Sequence, residues 1–301
     1  MRIATLILAA AALAAPALAA KPAPLPAAIY TDPAPDKAHP ARMEVLHIPS
    51  GGVEINGVAY LASGAGLHPT LVLCHGWPGN EKNLDLAQAV RRAGWNVVTF
   101  NYRGSWGSGG TFRFAQNPED ASAVLAYLRA PANAAKLQVD TSKIAIAGHS
   151  MGGWVSAMVA GKDNDLLGAG LISAANMGVA RNLDRPGLIA MASENSETLA
   201  GTSPEIMADE LLAGREAFDF LQAAPGLARK SVLILSSDDG LAPQTDALGK
   251  AIIAAGGKRL TMVHVATDHG WSDSRIKLQA QMIRWLQSLL RLPPTRPAIS
   301  H

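Results

Sequence analysis

From residue 43 onward, short apolar runs alternate with segments whose apolar residues recur at helical spacing. Continuous or alternating apolar runs mark strands, and the longer periodicity marks helices. The pattern predicts an opening hairpin over 44–48 and 53–61, then a short buried strand over 70–74. A helix is expected over 81–93, a strand over 96–101 and a helix over 119–130. Asn117 stands where it would cap that helix, with Pro118 at the first helical position and the acids Glu119 and Asp120 in the first turn. A strand over 143–147 runs into a helix that begins after Ser150. Strands at 167–173, 231–235 and 260–265 follow, with helices at 244–255 and 274–290, the last of them amphipathic. Apolar strands alternating with crossover helices predict the α/β class: a mostly parallel, doubly wound sheet covered on both faces.

One stretch breaks the rhythm. The connection from Ser173 to Ser231 is far longer than those usual in compact domains. Its pattern over 181–193 and 204–222 is largely helical. The expectation is a small helical cap at about 179–228, inserted into a single domain that spans 43–301. Residues 1–20 read as a signal peptide: Arg2 supplies a positive start, an apolar run follows, and Ala17-Leu18-Ala19 forms a small-residue cleavage site. The run is short and interrupted by Pro16, which argues against a spanning helix. Residues 21–42, rich in Ala and Pro, read as an arm. An exported protein, periplasmic or secreted, is therefore expected, with no stable membrane insertion once the leader is removed.

Composition narrows the picture. Hydrophobic residues make up 49% of the chain and charged residues only 17%, which suits a large packed core. The formal net charge is +2 and no basic block occurs, so nucleic acid is not an expected partner. Cys74 is the only cysteine, so no internal disulfide can form, and its apolar setting suits a small buried hydrophobe. Neither the H-E-x-x-H metal pattern nor paired C-x-x-C is present, and "GSWGSGG" lacks the Lys-Ser or Lys-Thr of a phosphate cradle. No cofactor is expected.

The chemistry concentrates at Gly148-His149-Ser150-Met151-Gly152, where the strand turns into the helix. A serine hydroxyl needs a base and exposure to substrate before it can act as a nucleophile. A strand-to-helix corner exposes it, the glycines permit the crowded turn, and the helix aims its amide end at the site. Ser150 is the candidate nucleophile, and the backbone N–H of Met151 is a candidate oxyanion donor.

With that corner and its flanking elements, the chain resembles an α/β-hydrolase over most of 44–290. The resemblance implies the chain order nucleophile, acid, histidine. Downstream histidines are His264, His269 and His301. His264 falls in the last strand and His301 is terminal, whereas His269, in "ATDHGWSD", occupies the loop where the family carries its base. Asp238 and Asp239 both follow the preceding strand; the spacing to Pro243 that the family shows favours Asp239, and Asp268 is a weaker alternative. Ser236 stands where relatives often carry glycine. The His75-Gly76-Trp77 segment resembles the family's His-Gly loop, which makes the Trp77 N–H the second oxyanion donor. His75 is expected to brace its loop. "NYRGSWGSGG" resembles the family's Arg-Gly-x-Gly loops and implies a structural Arg103, with Trp106, Phe112 and Phe114 in core packing or at the substrate entrance.

Together these residues imply a serine hydrolase that forms an acyl-enzyme, with a small-molecule ester as the first expectation for its substrate. A peptidase or amidase resembling the prolyl oligopeptidase group, acting on a short peptide, keeps the same chemistry; 43–66 is too short for that group's additional propeller domain. A non-catalytic binding protein on the same fold is a third reading, which the intact set Ser150, Asp239 and His269 argues against. Oligomeric state and the acyl and alcohol specificities are not legible in the sequence.

Overall fold

The computed structural model describes residues 24–291; the leader expected at 1–20, residues 21–23 of the arm, and His301 lie outside them. Eight strands form one sheet: β1 (Arg42–Ser50), β2 (Val53–Leu61), β3 (His68–Cys74), β4 (Asn96–Phe100), β5 (Val139–His149), β6 (Leu166–Ile172), β7 (Ser231–Ser236) and β8 (Leu260–His264). Their order is β1-β2-β4-β3-β5-β6-β7-β8. β2 runs antiparallel to both β1 and β4, and every other pair is parallel. The helices are α1 (Leu84–Arg92), α2 (Asn117–Arg129), α3 (Pro131–Leu137), α4 (Met151–Lys162), α5 (Arg185–Ser193), α6 (Pro204–Ala213), α7 (Ala224–Leu227), α8 (Ala242–Ala254) and α9 (Arg275–Leu289). This is the open, mostly parallel α/β sheet that the hydrophobic pattern predicts.

β4 and β7 are buried along their whole lengths, as strands covered on both faces must be. One core layer joins Val72, Ile146 and Phe112 to Val124 of α2 and Trp154 of α4. The other joins Leu71, Leu73 and Leu233 to Val90 of α1 and to Met282 and Trp285 of α9. Each fully buried Leu or Ile in these layers contributes about 1.5–3 kcal/mol of transfer free energy.

Several local expectations are corrected. The helix expected from 81 starts at Leu84, because Asn83 takes a left-handed conformation, φ 55°, and its amide donates to the Glu81 carboxylate. Asn117 is not a cap. A 3-10 turn over Phe114–Gln116 leads into α2, Asn117 already lies inside the helix, and its side-chain amide reaches Met151 Sδ at 3.3 Å. The pattern also misses α3, whose short alanine-rich sequence buries only Ala134 and Leu137. β5 begins four residues early, where the polar residues at 140–143 extend the strand outside the core.

The strand order fixes where a site can form. From β3 the chain moves to β4 on one side, then returns to β5 on the other. At such a switch the connections diverge and leave a crevice beyond the carboxyl ends of the strands. The His75-Gly76-Trp77 loop leaves β3 there and the Ser150 corner leaves β5. Between β6 and β7, a 3-10 turn over Met177–Asn182, α5, α6, a second 3-10 turn over Phe220–Ala223 and α7 replace a short connection. That segment is knitted to the loop after β4 by backbone bonds: Trp106 N–H donates to Thr198 O at 3.0 Å, Ala200 N–H to Gly104 O at 2.7 Å, and Phe112 N–H to Ala200 O at 2.9 Å. The Glu210 carboxylate also accepts the amides of Phe114 and Ala115, at 3.0 and 2.8 Å. Among the described residues, no helix is long and apolar enough to cross a membrane.

Candidate active site

Ser150 occupies the corner between β5 and α4 with φ 57° and ψ −123°, a conformation that costs a non-glycine residue on the order of 1–3 kcal/mol. The surroundings hold it there. Its amide donates to Ile172 O at 2.9 Å, and its carbonyl accepts from Gly153 at 2.9 Å and Ala175 at 3.1 Å. The two flanking glycines are required by contact rather than by φ. A Cβ on Gly148 would lie 2.1 Å from Gly152 O, and one on Gly152 would lie 2.2 Å from Cys74 O. Apolar strand, strained corner and small-residue helix thus act as one unit that exposes a hydroxyl at the sheet's carboxyl edge.

The loop after β3 closes over this corner. A Cβ on Gly76 would fall 3.0 Å from Ser150 Cβ, so any larger residue there would press on the corner. Neither the Trp77 amide nor the Met151 amide donates to another backbone group among the described residues. Met151 opens α4 directly after Ser150, and Trp77 follows Gly76 on the loop that abuts the corner. His75 braces the loop: it is buried, its Nδ1–H donates to Gly76 O at 2.7 Å, and its ring meets Tyr102 edge-on. Burial holds its pKa down to about 4, so the ring is neutral. Trp77 packs edge-to-face on Phe114 with ring centres 5.0 Å apart, and its buried indole nitrogen has no hydrogen-bond partner among the described residues.

The acid and the histidine meet on the far side. His269 Nδ1 lies 2.7 Å from Asp239 Oδ2; the carboxylate is 4% exposed and the imidazole 42%. Burial alone would raise the Asp239 pKa. Hydrogen bonds from His269, the Leu241 amide and the Ser237 hydroxyl outweigh it and hold the carboxyl below its ordinary value. An ionised carboxylate can only accept, so a proton sits on His269 Nδ1 and Nε2 is the ring nitrogen left to act on another group. Among the described residues, neither Ser150 Oγ nor His269 Nε2 has a hydrogen-bond partner; such bonds often tighten only when substrate arrives. Asp238 points elsewhere, accepting from His264 Nε2 at 2.9 Å, and Asp268 braces its own loop through Ser272. The structure thus pairs Asp239, and neither alternative, with His269.

Arg103 lies apart from this chemistry. Its guanidinium meets the fully buried Asp120 at 2.6 Å and Glu119 at 2.7 Å, tying the loop after β4 to α2. Phe112 and Phe114 are buried in the core, whereas Trp106 is partly exposed and donates its indole N–H to Pro78 O. No group of three or more His, Cys, Asp or Glu side chains gathers among the described residues as metal ligands would.

Residues 71–296, well over half of the chain, match the model of the alpha/beta hydrolase family. The chain belongs to that family. Comparison with curated protein sequences gives no significant match. Among solved structures, the chain is similar to an esterase from Pyrobaculum calidifontis, with TM-score 0.63, 20% identity, and 84% of this chain and 87% of that one covered. It is also similar to ferulic-acid-bound Est1E from Butyrivibrio proteoclasticus, with TM-score 0.65, 17% identity, and coverage of 82% and 100%. An acylaminoacyl peptidase from Pyrococcus horikoshii aligns with TM-score 0.62 and 15% identity over 87% of this chain but only 43% of its own. At these identities the likeness is one of fold.

Sequence reasoning missed four residues of this alpha/beta hydrolase site. Trp271 is fully buried and donates its indole N–H to Ser173 Oγ at 3.0 Å, and Ser173 Oγ meets Ser237 Oγ at 2.7 Å. Ser237 in turn reaches Asp239. Buried polar links thus join the loops after β6, β7 and β8 behind the Asp239–His269 pair. The fourth residue is His149, whose Nε2 lies 2.8 Å from the His269 carbonyl. One signal was present: Ser173 and Ser237 are polar residues just past buried strands, at the edge where sites form.

Proposed function

We propose that the protein is a serine hydrolase that cleaves carboxylic esters of small or medium size through an acyl-enzyme. The observation that carries this reading is the Asp239–His269 pair, bonded through Nδ1, at the same sheet edge as the strained Ser150 corner. His269 takes the Ser150 proton as the hydroxyl attacks the ester carbonyl, and Asp239 stabilises the imidazolium that forms. The Trp77 and Met151 amides hold the oxyanion; one such donor contributes roughly 3 kcal/mol in the transition state. His269 then returns the proton to the leaving alcohol, and water repeats the cycle to free the acid.

The helical segment 179–228 serves as a cap, held in place by its bonds to the loop after β4. With the leader-like sequence at 1–20, the enzyme is exported to the periplasm or the medium. The test is a substrate panel on the mature protein: p-nitrophenyl esters of several chain lengths against aminoacyl-p-nitroanilides. Ester turnover well above anilide turnover supports the esterase reading. The reverse ratio would transfer the assignment to a peptidase or amidase, the chemistry named for the Pyrococcus horikoshii neighbour.

A further inference from the structure

His149, between Gly148 and Ser150 in the corner, takes no part in the chemistry just described, yet it is the residue that joins the nucleophile's corner to the base. Its ring is buried, 4% exposed, and lies 4.5 Å from the His269 ring, tilted by 46°. Its Nε2 lies 2.8 Å from the His269 backbone oxygen. A carbonyl can only accept, so the proton is on Nε2 and Nδ1 holds the lone pair. That Nδ1 is buried without a partner, facing the loop after β3, where a Cβ on Gly76 would lie 3.6 Å from it. Among the described residues, no donor or acceptor bonds the other side of the ring.

We propose that His149 is a positioning residue: as a neutral donor it anchors the His269 backbone to the Ser150 corner and so sets the distance over which the proton moves. The proposal rests on reading Ser150 and His269 as nucleophile and base. Joined to Ser150 through one peptide bond and to His269 through one hydrogen bond, His149 links the two reacting groups directly. Misplacement of a proton acceptor by even 1 Å can cost about a hundredfold in rate. The link also requires a neutral ring, since a charged His149 would sit against the imidazolium formed on His269. The groups that face it are His269, Asp239 and Arg275, and burial is the largest influence that keeps it neutral, with a pKa of about 4.

Two variants separate positioning from packing. His149→Phe keeps an aromatic ring beside His269 and removes the donor, whereas His149→Gln restores an N–H at similar reach. The expected result is a 10- to 100-fold lower kcat in His149→Phe with KM changed less than threefold. Labelling of Ser150 by a fluorophosphonate slows in proportion, and His149→Gln recovers most of both losses. Equal kcat in His149→Phe and wild type, or equal losses in both variants, would overturn the proposal. Wild-type protein that is not labelled at Ser150 at all would instead remove the nucleophile reading, and the proposal with it. Nitrogen NMR of the wild-type imidazoles supplies a check free of variant folding: the proposal requires His149 to carry its proton on Nε2 at neutral pH, and a proton on Nδ1 would contradict it.

Discussion

At the scale of single residues, the site depends on which of several similar groups lies within a hydrogen bond of which other. Asp238 and Asp239 are neighbours with the same carboxyl, yet one accepts from His264 at 2.9 Å and the other from His269 at 2.7 Å. Asp239→Asn is therefore expected to lower kcat by roughly 10⁴-fold, because an amide cannot hold the proton on Nδ1. Asp238→Asn should stay within about twofold of wild type in the same steady-state assay. The sequence showed the type of acid and the loop, and the spacing to Pro243 favoured Asp239. It could not show His149 acting across 120 positions, since a contact of that span depends on the strand order rather than on local pattern.

At the scale of elements, the central strands were legible because β4 and β7 are buried apolar runs, β1 because its exposed and buried positions alternate, and α4 because its small and apolar residues follow a strand directly. The misses have physical causes. Asn83 is held by a local bond to Glu81 and by a distant one from Arg275, and Asn117 by its contact with Met151, so neither follows its local preference alone. α3 is too short to display a period. Connections between elements were less legible still. Arg103 and Asp120 are far apart in local pattern, yet their buried ion pair joins the loop after β4 to α2, and Ser50 at the end of β1 also donates to Asp120. Arg103→Ala removes the guanidinium from that carboxylate and leaves it the residue-103 amide and Ser50, and is expected to cost about 3 kcal/mol, the low end for breaking a buried pair, as read from urea unfolding. Activity per folded molecule should persist. Trp271→Phe removes one buried donor behind the Asp239–His269 pair, with a cost near 1–2 kcal/mol in the same assay. Here kcat should fall as well, because the loop that carries His269 loses its anchor on Ser173.

At the scale of the whole molecule, two buried histidines make stability depend on pH. His75 and His149 have pKa values of about 4 in the folded protein, against an unfolded value near 6.5. Between those values the unfolded chain binds more protons, so stability falls as pH drops from about 6.5 towards 4 and is complete above that window. Each histidine contributes roughly 3 kcal/mol to that loss. Urea midpoints measured across the window should show the decline, and His149→Gln should reduce its slope by about one proton. A flat profile would mean that both rings are solvated, and a slope of about one proton that one of them is.

Fold, family and the spatial pairing of acid with histidine now stand together, and the central claim is that Ser150 is an activated nucleophile. The most direct measurement exposes purified mature protein to a fluorophosphonate and locates the adduct by mass spectrometry. The account predicts a single adduct on Ser150, lost in His269→Ala while that variant remains folded. A folded wild-type protein that takes no label, or an adduct on Ser150 that persists at full rate in His269→Ala, would contradict it.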